Sequence, residues 1–202
     1  MPRKFGEIAF TPEVQAAQAE RGSRETYERY IAKGPANDAI APPLAEFIGT
    51  LEGFYLGTVG SNGYPYIQFR GGPPGFLKVL DEKTLGFADF SGNVQYITVG
   101  NLSGNDKAFL FLMDYRHRKR VKIWGRAEFI ENQPELIERL QMPGYPATIE
   151  RAIVFHVEAT SENCPQHIPI RYSEQEVEAM LTPLRDRIAL LEQQLERQSA
   201  TQ

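Results

Sequence analysis

Apolar and polar residues alternate in short runs between positions 54 and 131, and Gly, Asn, Asp and Pro residues separate the runs. An alternation of period two is typical of strands that bury one face. Residues 55–59 and 64–70 flank Asn62 and Gly63, a pair that tolerates the positive φ angles of a tight hairpin turn. The pattern therefore predicts a small antiparallel barrel that begins with a hairpin.

Two further hairpins follow from the same pattern. Residues 76–80 and 85–90 are joined through the polar stretch 81–84, and residues 108–113 are joined to residues 121–129 through a basic stretch. In the last run, Val121, Ile123, Gly125, Ala127 and Phe129 share one face, and Lys122, Trp124, Arg126 and Glu128 share the other. We expect the first face in the core and the second in contact with water or a ligand.

A later apolar run at residues 152–160 predicts the strand that completes the barrel. We expect six strands in total, and the predicted fold class is mainly β, an antiparallel barrel with flanking helices. Residues 91–102 predict a loop that enters a short helix. The start of that helix either binds an anion through unpaired backbone N–H groups or is an ordinary capped end.

Helical patterns occupy both ends of the chain. Residues 1–52 predict short helices packed on the barrel, one of them starting at Pro12 with Thr11 as its N-cap. Residues 53–172 form the predicted barrel, and residues 173–202 form a C-terminal amphipathic helix.

The C-terminal helix begins with a predicted capping box formed by Ser173 and Glu176. Its apolar residues recur in steps of four and three, the spacing of a coiled-coil seam, at Val177, Leu181, Leu184, Ile188, Leu191 and Leu195. Pro183 interrupts this pattern. The helix is predicted to be an arm that packs on a subunit or domain, and a solitary amphipathic helix is the alternative.

The length, charge and hydropathy of the chain indicate a single folded domain and give no support to a nucleic-acid or membrane partner. A chain of 202 residues with 42% hydrophobic content can form one well-packed domain. The net charge of −4 gives no general reason to expect nucleic acid as a partner. No apolar run reaches the length of a membrane helix, so we expect a soluble cytoplasmic protein without a membrane partner.

Metal and thiol chemistry have little support in the sequence. The histidines, His117, His156 and His167, lack the spacing of metal ligands, so no metal site is expected. The lone cysteine, Cys164, rules out an internal disulfide. It is interpreted as a packed small side chain, with a redox thiol as the alternative reading.

Four tracts of the central segment occur in a characteristic order: FYLGTVGSNGYPYIQFRGG, TLGFADFSGN, GNLSGNDKAFLFLMD and RVKIWGRAEF. Their order and spacing resemble those of the pyridoxamine 5′-phosphate oxidase-like flavoproteins, the FMN-binding split-barrel group. The resemblance implies a split β-barrel and a homodimer in which FMN lies in a groove between the two subunits.

The resemblance also implies which residues contact FMN. Carried over by position, they are Gln68, Phe69, Arg70, Gly71, Asp89, Phe90, Ser91, Asn93, Gln95, Arg120 and Trp124. Arg70 offers a planar fork of donors that suits a phosphate, although a surface ion pair is the plainer alternative. Gly71 permits a flat ring to approach the backbone, or it belongs to a simple turn. Arg120 is equally compatible with a solvated basic loop.

The sequence departs from true pyridoxamine phosphate oxidases in two places. The family's lysine after the second strand is replaced by Gly72-Pro73-Pro74-Gly75, and its C-terminal arginine-histidine segment is replaced by a helix. Oxidation of pyridoxamine phosphate is therefore not expected.

The resemblance instead implies an FMN-dependent oxidoreductase that takes electrons from a reduced donor such as NAD(P)H and passes them to a small organic acceptor or oxygen. FMN carries the redox chemistry, so we assign no catalytic residue. Two alternatives stay open: a non-catalytic flavin- or haem-binding module, and a purely structural dimer.

Overall fold

The chain is described by a computed structural model over residues 2–163 and 165–199. Its strands form one antiparallel sheet and comprise β1 (Gly53–Val59), β2 (Pro65–Gly71), β3 (Lys78–Asp81), β4 (Thr84–Phe90), β5 (Lys107–Asp114), β6 (Lys119–Ile130) and β7 (Ile149–Asn163). Its helices are α1 (Lys4–Ala9), α2 (Pro12–Glu20), α3 (Arg24–Ala32), α4 (Pro42–Gly49), α5 (Ile97–Gly104), α6 (Pro134–Leu140) and α7 (Glu174–Ser199). Cys164, for which two roles were considered, lies outside the described residues.

The predicted class, a mainly β antiparallel fold with flanking helices, is confirmed, but the count of six strands is wrong. The sheet of the described residues has seven strands, because each of the three predicted hairpins contributes two strands and β7 adds one more. The shortest strand is β3, which pairs only with β4. It begins at Lys78 rather than at Phe76, since Phe76 and Leu77 leave the sheet and are buried in the core.

The order of neighbouring strands is β2-β1-β5-β6-β7-β4-β3. One face of this sheet packs around a hydrophobic core that includes Phe54, Leu110, Ile123 and Phe155, all fully buried. The alternation predicted for β6 is present, because Val121, Ile123, Gly125 and Ala127 are buried while the intervening side chains are more exposed. Burial of one face therefore fixes the register of the central strands.

Helices α1 and α4 pack on the sheet. Leu44, Phe47 and Ile48 of α4 join the central core, whereas Phe5 of α1 stacks on Trp124 of β6 with ring centroids 6.1 Å apart. At α2 the predicted start is confirmed, because Pro12 is the first helical residue and Thr11 Oγ1 accepts a hydrogen bond from the Val14 backbone N–H.

The chain divides into two compact units. The first contains the sheet and helices α1 to α6, and the second contains residues 115–118 together with the chain from Gln166 onward. Within the second unit, Arg116 Nε donates to Glu176 Oε1 at 3.0 Å, and the Arg116 guanidinium lies 4.6 Å from the centre of the Tyr172 ring. These contacts join the hairpin tip at 115–118 to the start of α7.

Candidate functional site

The candidate site lies where β2 and β4 approach each other. These strands are far apart in the order of the sheet, yet Arg70 Nη1 of β2 lies 2.5 Å from Asp89 Oδ1 of β4. The sheet therefore curls until side chains, rather than a backbone ladder, join the two strands. Beneath this seam the Phe54 ring contacts the rings of Phe76 and Phe87, at centroid distances of 5.6 and 5.1 Å.

A half-open cleft runs along this seam, and the empty space in it amounts to about 410 Å³ when the open solvent at its mouth is included. Strands β2 and β4, the following loop and the start of α5 form its walls. Six of the eleven side chains predicted to contact FMN line it together: Gln68, Arg70, Asp89, Phe90, Asn93 and Gln95.

Charged side chains form a network at the base of the cleft. Asp89 is only 6% exposed and lies between two arginines, because Arg151 Nη1 of β7 is 3.7 Å from Asp89 Oδ2. Arg151 also donates from Nη2 to Glu150 Oε2 at 2.6 Å. The surface ion pair considered for Arg70 does not describe this arrangement, since the Arg70 side chain is only 13% exposed.

Both arginines have an Nε donor that makes no hydrogen bond with the described residues, although Arg151 Nε lies 3.6 Å from Glu131 Oε1. Both of these Nε atoms are buried. A buried donor without a partner costs about 1–3 kcal/mol, and more when the group is charged. An acceptor that entered the cleft and reached these N–H groups would remove that cost.

An amide and a hydroxyl form a second polar pair in the cleft. Thr98 of α5 donates from Oγ1 to Gln68 Oε1 at 2.7 Å. This bond fixes the Gln68 amide and uses its oxygen, so its Nε2 remains a donor toward the cleft. Thr98 was not predicted, although it follows Gln95 closely in the same segment.

The loop from Ser91 to Tyr96 is held in an unusual backbone conformation. Val94 and Tyr96 both have a φ of 53°, in the left-handed region that side chains rarely adopt. Such residues cost about 1–3 kcal/mol each and cluster at functional sites. The Gln95 backbone N–H donates to Asn93 Oδ1 at 3.3 Å.

Helix α5 starts without a side-chain cap. Tyr96, at the N-cap position, makes no capping hydrogen bond through its side chain. Of the two readings left open by the sequence, an ordinary side-chain-capped end is therefore not what the structure contains. The Tyr96 ring instead lies 5.2 Å from the Arg151 guanidinium, so the network at the base of the cleft reaches this helix start.

The other predicted residues lie outside this cleft. Phe69 and Gly71 border an adjoining hollow that shares Gln68, Arg70 and Phe90 with the cleft. A Cβ at Gly71 would lie 2.9 Å from the Phe69 ring, so side-chain packing is one reason for a glycine there. Ser91 is exposed, and its backbone N–H donates to the Thr148 carbonyl.

Arg120 and Trp124 lie on β6 and do not reach the cleft within one chain. Trp124 is sandwiched between the Phe5 ring and the edge of the Phe109 ring. Arg120 Nε is buried without a hydrogen-bond partner among the described residues. Burial lowers the pKa of the neighbouring Lys122, and repulsion from Arg120 lowers it further. This part of β6 thus holds two cations close together.

Sequence reasoning missed Arg151, the second arginine beside Asp89. The available signal was a charged residue inside the apolar run that forms β7. The partner of this charge could not be predicted from the sequence. Arg151 comes to lie opposite Asp89 only when β7 pairs with β4 in the folded sheet.

The described part of the chain contains neither a cluster of metal ligands nor a membrane-spanning helix. No group of three or more His, Cys, Asp or Glu residues there is arranged to hold a metal ion. No helix among residues 2–163 and 165–199 is both long and apolar enough to cross a membrane.

The protein is a mainly β protein whose antiparallel sheet curls until side chains of two distant strands meet. Comparison with known proteins identifies its family. The sequence profile of the pyridoxamine 5′-phosphate oxidase family matches residues 40–162, more than half of the chain. The chain belongs to this family, as the resemblance of its sequence predicted.

Solved structures extend the comparison to the fold. HupZ from Group A Streptococcus is 17% identical with a TM-score of 0.51, and the match covers 66% of this chain and 99% of that one. An FMN-binding protein from Syntrophomonas wolfei subsp. wolfei is 16% identical with a TM-score of 0.47, over 73% of this chain and 97% of that one. The HupZ structure, at this identity, shows a shared fold. No curated protein sequence matches this chain.

Proposed function

We propose that this protein is an FMN-dependent oxidoreductase whose cofactor binds in the cleft between β2 and β4. The observation that carries the proposal is the buried Nε donor of Arg70, which has no hydrogen-bond partner in the described chain. Beside it lies Arg151, whose buried Nε also makes no hydrogen bond there and is 3.6 Å from Glu131 Oε1. Arg70 lines the cleft together with the start of α5, which has no side-chain cap, and the Arg151 guanidinium lies 5.2 Å from the Tyr96 ring at that helix start. Guanidinium groups and unpaired backbone N–H groups are the donors that proteins use for phosphate.

The donor set fits a phosphorylated flavin. Arg70 would hold the phosphate, with Asp89 keeping its guanidinium in place through their ion pair. The Gln68 amide, fixed by Thr98, would donate to the polar edge of the ring, and Asn93 and Gln95 would complete the wall of the cleft. FMN, when bound, supplies the hydride and electron chemistry, so the side chains of the cleft bind and orient it.

The proposed assembly is a homodimer with FMN at the subunit interface. Arg120 and Trp124 lie outside the cleft of their own chain. In the proposed dimer, these two residues of one copy would contact the FMN bound in the cleft of the other copy. The outer face of β1 and β2 is suited to self-association, because Ile67 and Phe69 are 67% and 59% exposed and the Phe69 ring lies 5.5 Å from that of Tyr55. Contiguous exposed apolar residues commonly mark interfaces.

The proposed reaction is transfer of electrons from a reduced donor, such as NAD(P)H, to a small organic acceptor or oxygen. The turn after β2 is Gly72-Pro73-Pro74-Gly75 and offers no cation to a pyridoxamine phosphate substrate. We therefore do not propose pyridoxamine phosphate as the substrate.

The first test is a titration of flavin-free protein with FMN, followed by flavin fluorescence. We expect Arg70→Ala to weaken FMN binding by about 10- to 100-fold, because a hydrogen bond to a charged group contributes about 1.5–3 kcal/mol. Arg126→Ala is the matched control, since Arg126 is an exposed arginine that is also ion-paired, to Asp106 and Glu158. Its FMN affinity should equal that of the wild type.

Riboflavin, which lacks the phosphate, identifies the group that Arg70 holds. The loss caused by Arg70→Ala should be far smaller for riboflavin than for FMN. Equal FMN affinity in wild type and Arg70→Ala would remove Arg70 from the site. Oxidation of NADH or NADPH by the FMN-loaded protein then tests turnover; tight FMN binding without turnover of any donor would indicate a flavin-binding module instead of an enzyme.

A further inference from the structure

The C-terminal helix α7 has a continuous apolar seam that remains exposed. Val177, Leu181, Leu184, Ile188, Leu191 and Leu195 are each at least 37% exposed. They alternate in steps of four and three over a helix of 26 residues, so they form one stripe along its length. Among the described residues of α7, none is buried.

The seam has the residue types of a two-stranded coiled coil. With Leu181, Ile188 and Leu195 at the a positions, Val177, Leu184 and Leu191 fall at the d positions. In parallel coiled coils, a β-branched residue at a with leucine at d favours two strands, and one layer of the seam, Ile188 with Leu184 and Leu191, has this arrangement. Pro183 falls at position c, outside the seam, and α7 continues through it.

One pair of charges beside the seam favours a parallel orientation of a second helix. Arg187 falls at position g and Glu192 at the following e position. In a parallel, in-register pair, residue g of one helix faces residue e of the next heptad in the other, so Arg187 would meet Glu192 of the second copy twice by symmetry. An antiparallel pair places g against g and e against e, and this contact would not form.

Within the described helix, Arg187 and Glu192 are not used in ion pairs, so both can contact a second helix. Arg185 and Glu178, both at e positions, form an ion pair with each other within one helix. Neither Arg187 nor Glu192 has an ion-pair partner in the described part of the chain. The start of α7 is fixed by the capping box, so the seam is presented on a preformed helix.

We propose that the α7 helices of two copies of this chain associate as a parallel, in-register coiled coil. The occupant of the exposed seam is thus the same seam of a second copy. This association involves neither flavin nor any residue that lines the cleft between β2 and β4, so it stands or fails separately from the proposed function.

Disulfide trapping in the full-length protein tests this pairing. In a Cys164→Ser background, Leu191→Cys places a thiol at a d position, where the two copies would be in contact across the seam. We expect mild oxidation to yield a covalent dimer of Leu191→Cys. Gln193→Cys, at the outward f position two residues away, is the matched control and should remain largely uncrosslinked.

Two results would overturn the proposal. One is a Leu191→Cys protein that is folded by circular dichroism but yields no covalent dimer. The other is cross-linking of Gln193→Cys as readily as of Leu191→Cys, since that would indicate random collision rather than a specific seam.

Charge reversal tests the orientation with the same Leu191→Cys protein in a glutathione redox buffer. Arg187→Glu should lower the equilibrium yield of cross-linked dimer by roughly two- to thirty-fold, because it replaces two attractive contacts with two repulsive ones. Adding Glu192→Arg should restore the yield. A double variant that cross-links no better than Arg187→Glu alone would exclude the parallel register.

Discussion

Gly125 lies where β6 bulges against β7. The register of the two strands shifts between Trp124 and Gly125, and a Cβ at Gly125 would lie 2.0 Å from the His156 carbonyl oxygen and 2.5 Å from the Phe155 ring. Real Cβ atoms do not approach backbone oxygens this closely, so only the absence of a side chain permits the bulge.

Gly125→Ala should therefore destabilise the protein by about 1–3 kcal/mol or more, the cost of overpacking a core position. The matched control is Gly100→Ala in α5, where a Cβ would meet no atom within 4 Å. Replacing that helical glycine should stabilise by about 0.5–1 kcal/mol. Urea unfolding measures both changes, and equal midpoints for Gly125→Ala and the wild type would contradict the steric argument.

The residues predicted to contact FMN lie together in the cleft where neighbours in sequence are also neighbours in space. Gln68 and Arg70 alternate along one strand and face the same side, so their joint presence in the cleft follows from the period of a strand. Arg151 could not be found in this way, because its partner Asp89 lies on a strand that is distant in sequence. Nor does the sequence reveal that Phe5 would cover Trp124.

Elements were predicted best where a local signal fixes their ends. The loop and short helix predicted for residues 91–102 are present, with the helix as α5 from Ile97 to Gly104. The capping box of α7 is confirmed, since Glu176 Oε2 accepts from the Ser173 backbone N–H at 2.8 Å and Ser173 Oγ accepts from the Glu176 N–H at 3.2 Å. The number of strands could not be fixed in the same way, because β3 has four residues and only its pairing with β4 defines it.

The capping box of α7 should make the stability of that helix depend on pH. The hydrogen bond from the Ser173 backbone N–H holds the pKa of Glu176 below its usual value of 4.5, and Arg116 acts in the same direction. A carboxylate with a lowered pKa in the folded state stabilises above the unfolded pKa, and this contribution disappears as the pH falls through the folded pKa.

Glu176→Gln tests this dependence, because glutamine keeps an acceptor but has no charge. We expect the wild type to unfold at a higher temperature than Glu176→Gln at about pH 7, and we expect the difference to shrink as the pH falls below about 4.5, the usual pKa of a glutamate, through the lowered pKa of the folded state. Circular dichroism at 222 nm follows the helix content. A difference between the two proteins that stays constant over this range would show that the charge of Glu176 has no role.

In a single chain, the cationic side chains assigned to the proposed FMN site lie in two separate places. Arg70 lines the cleft and Arg151 lies behind it beside Asp89, whereas Arg120 and Lys122 lie together on β6 and face away from the core. In each place the described residues include a buried arginine Nε without a hydrogen-bond partner. A homodimer that brings β6 of one copy to the cleft of the other would unite them around one anionic cofactor, and two such sites would follow from two-fold symmetry.

A mixture of two variants that each bind FMN weakly tests whether one site contains residues from both copies. Arg70→Ala and Arg120→Ala should each weaken FMN binding. After the two proteins are unfolded and refolded together, half of the dimers contain one copy of each, and one of their two sites regains both arginines. About a quarter of all sites should then bind FMN with wild-type affinity, as expected from random pairing in a symmetric dimer.

The control mixes Arg70→Ala with Gln68→Ala, because Arg70 and Gln68 line the cleft of the same chain. No pairing of these two copies restores an intact cleft, so the mixture should bind no more FMN tightly than its components do separately. If the mixture of Arg70→Ala and Arg120→Ala also recovers no tight binding, Arg120 does not act across a subunit interface. The recovery of about a quarter of the sites in one mixture and none in the other would require a site built from two copies, since no arrangement within one chain produces that difference.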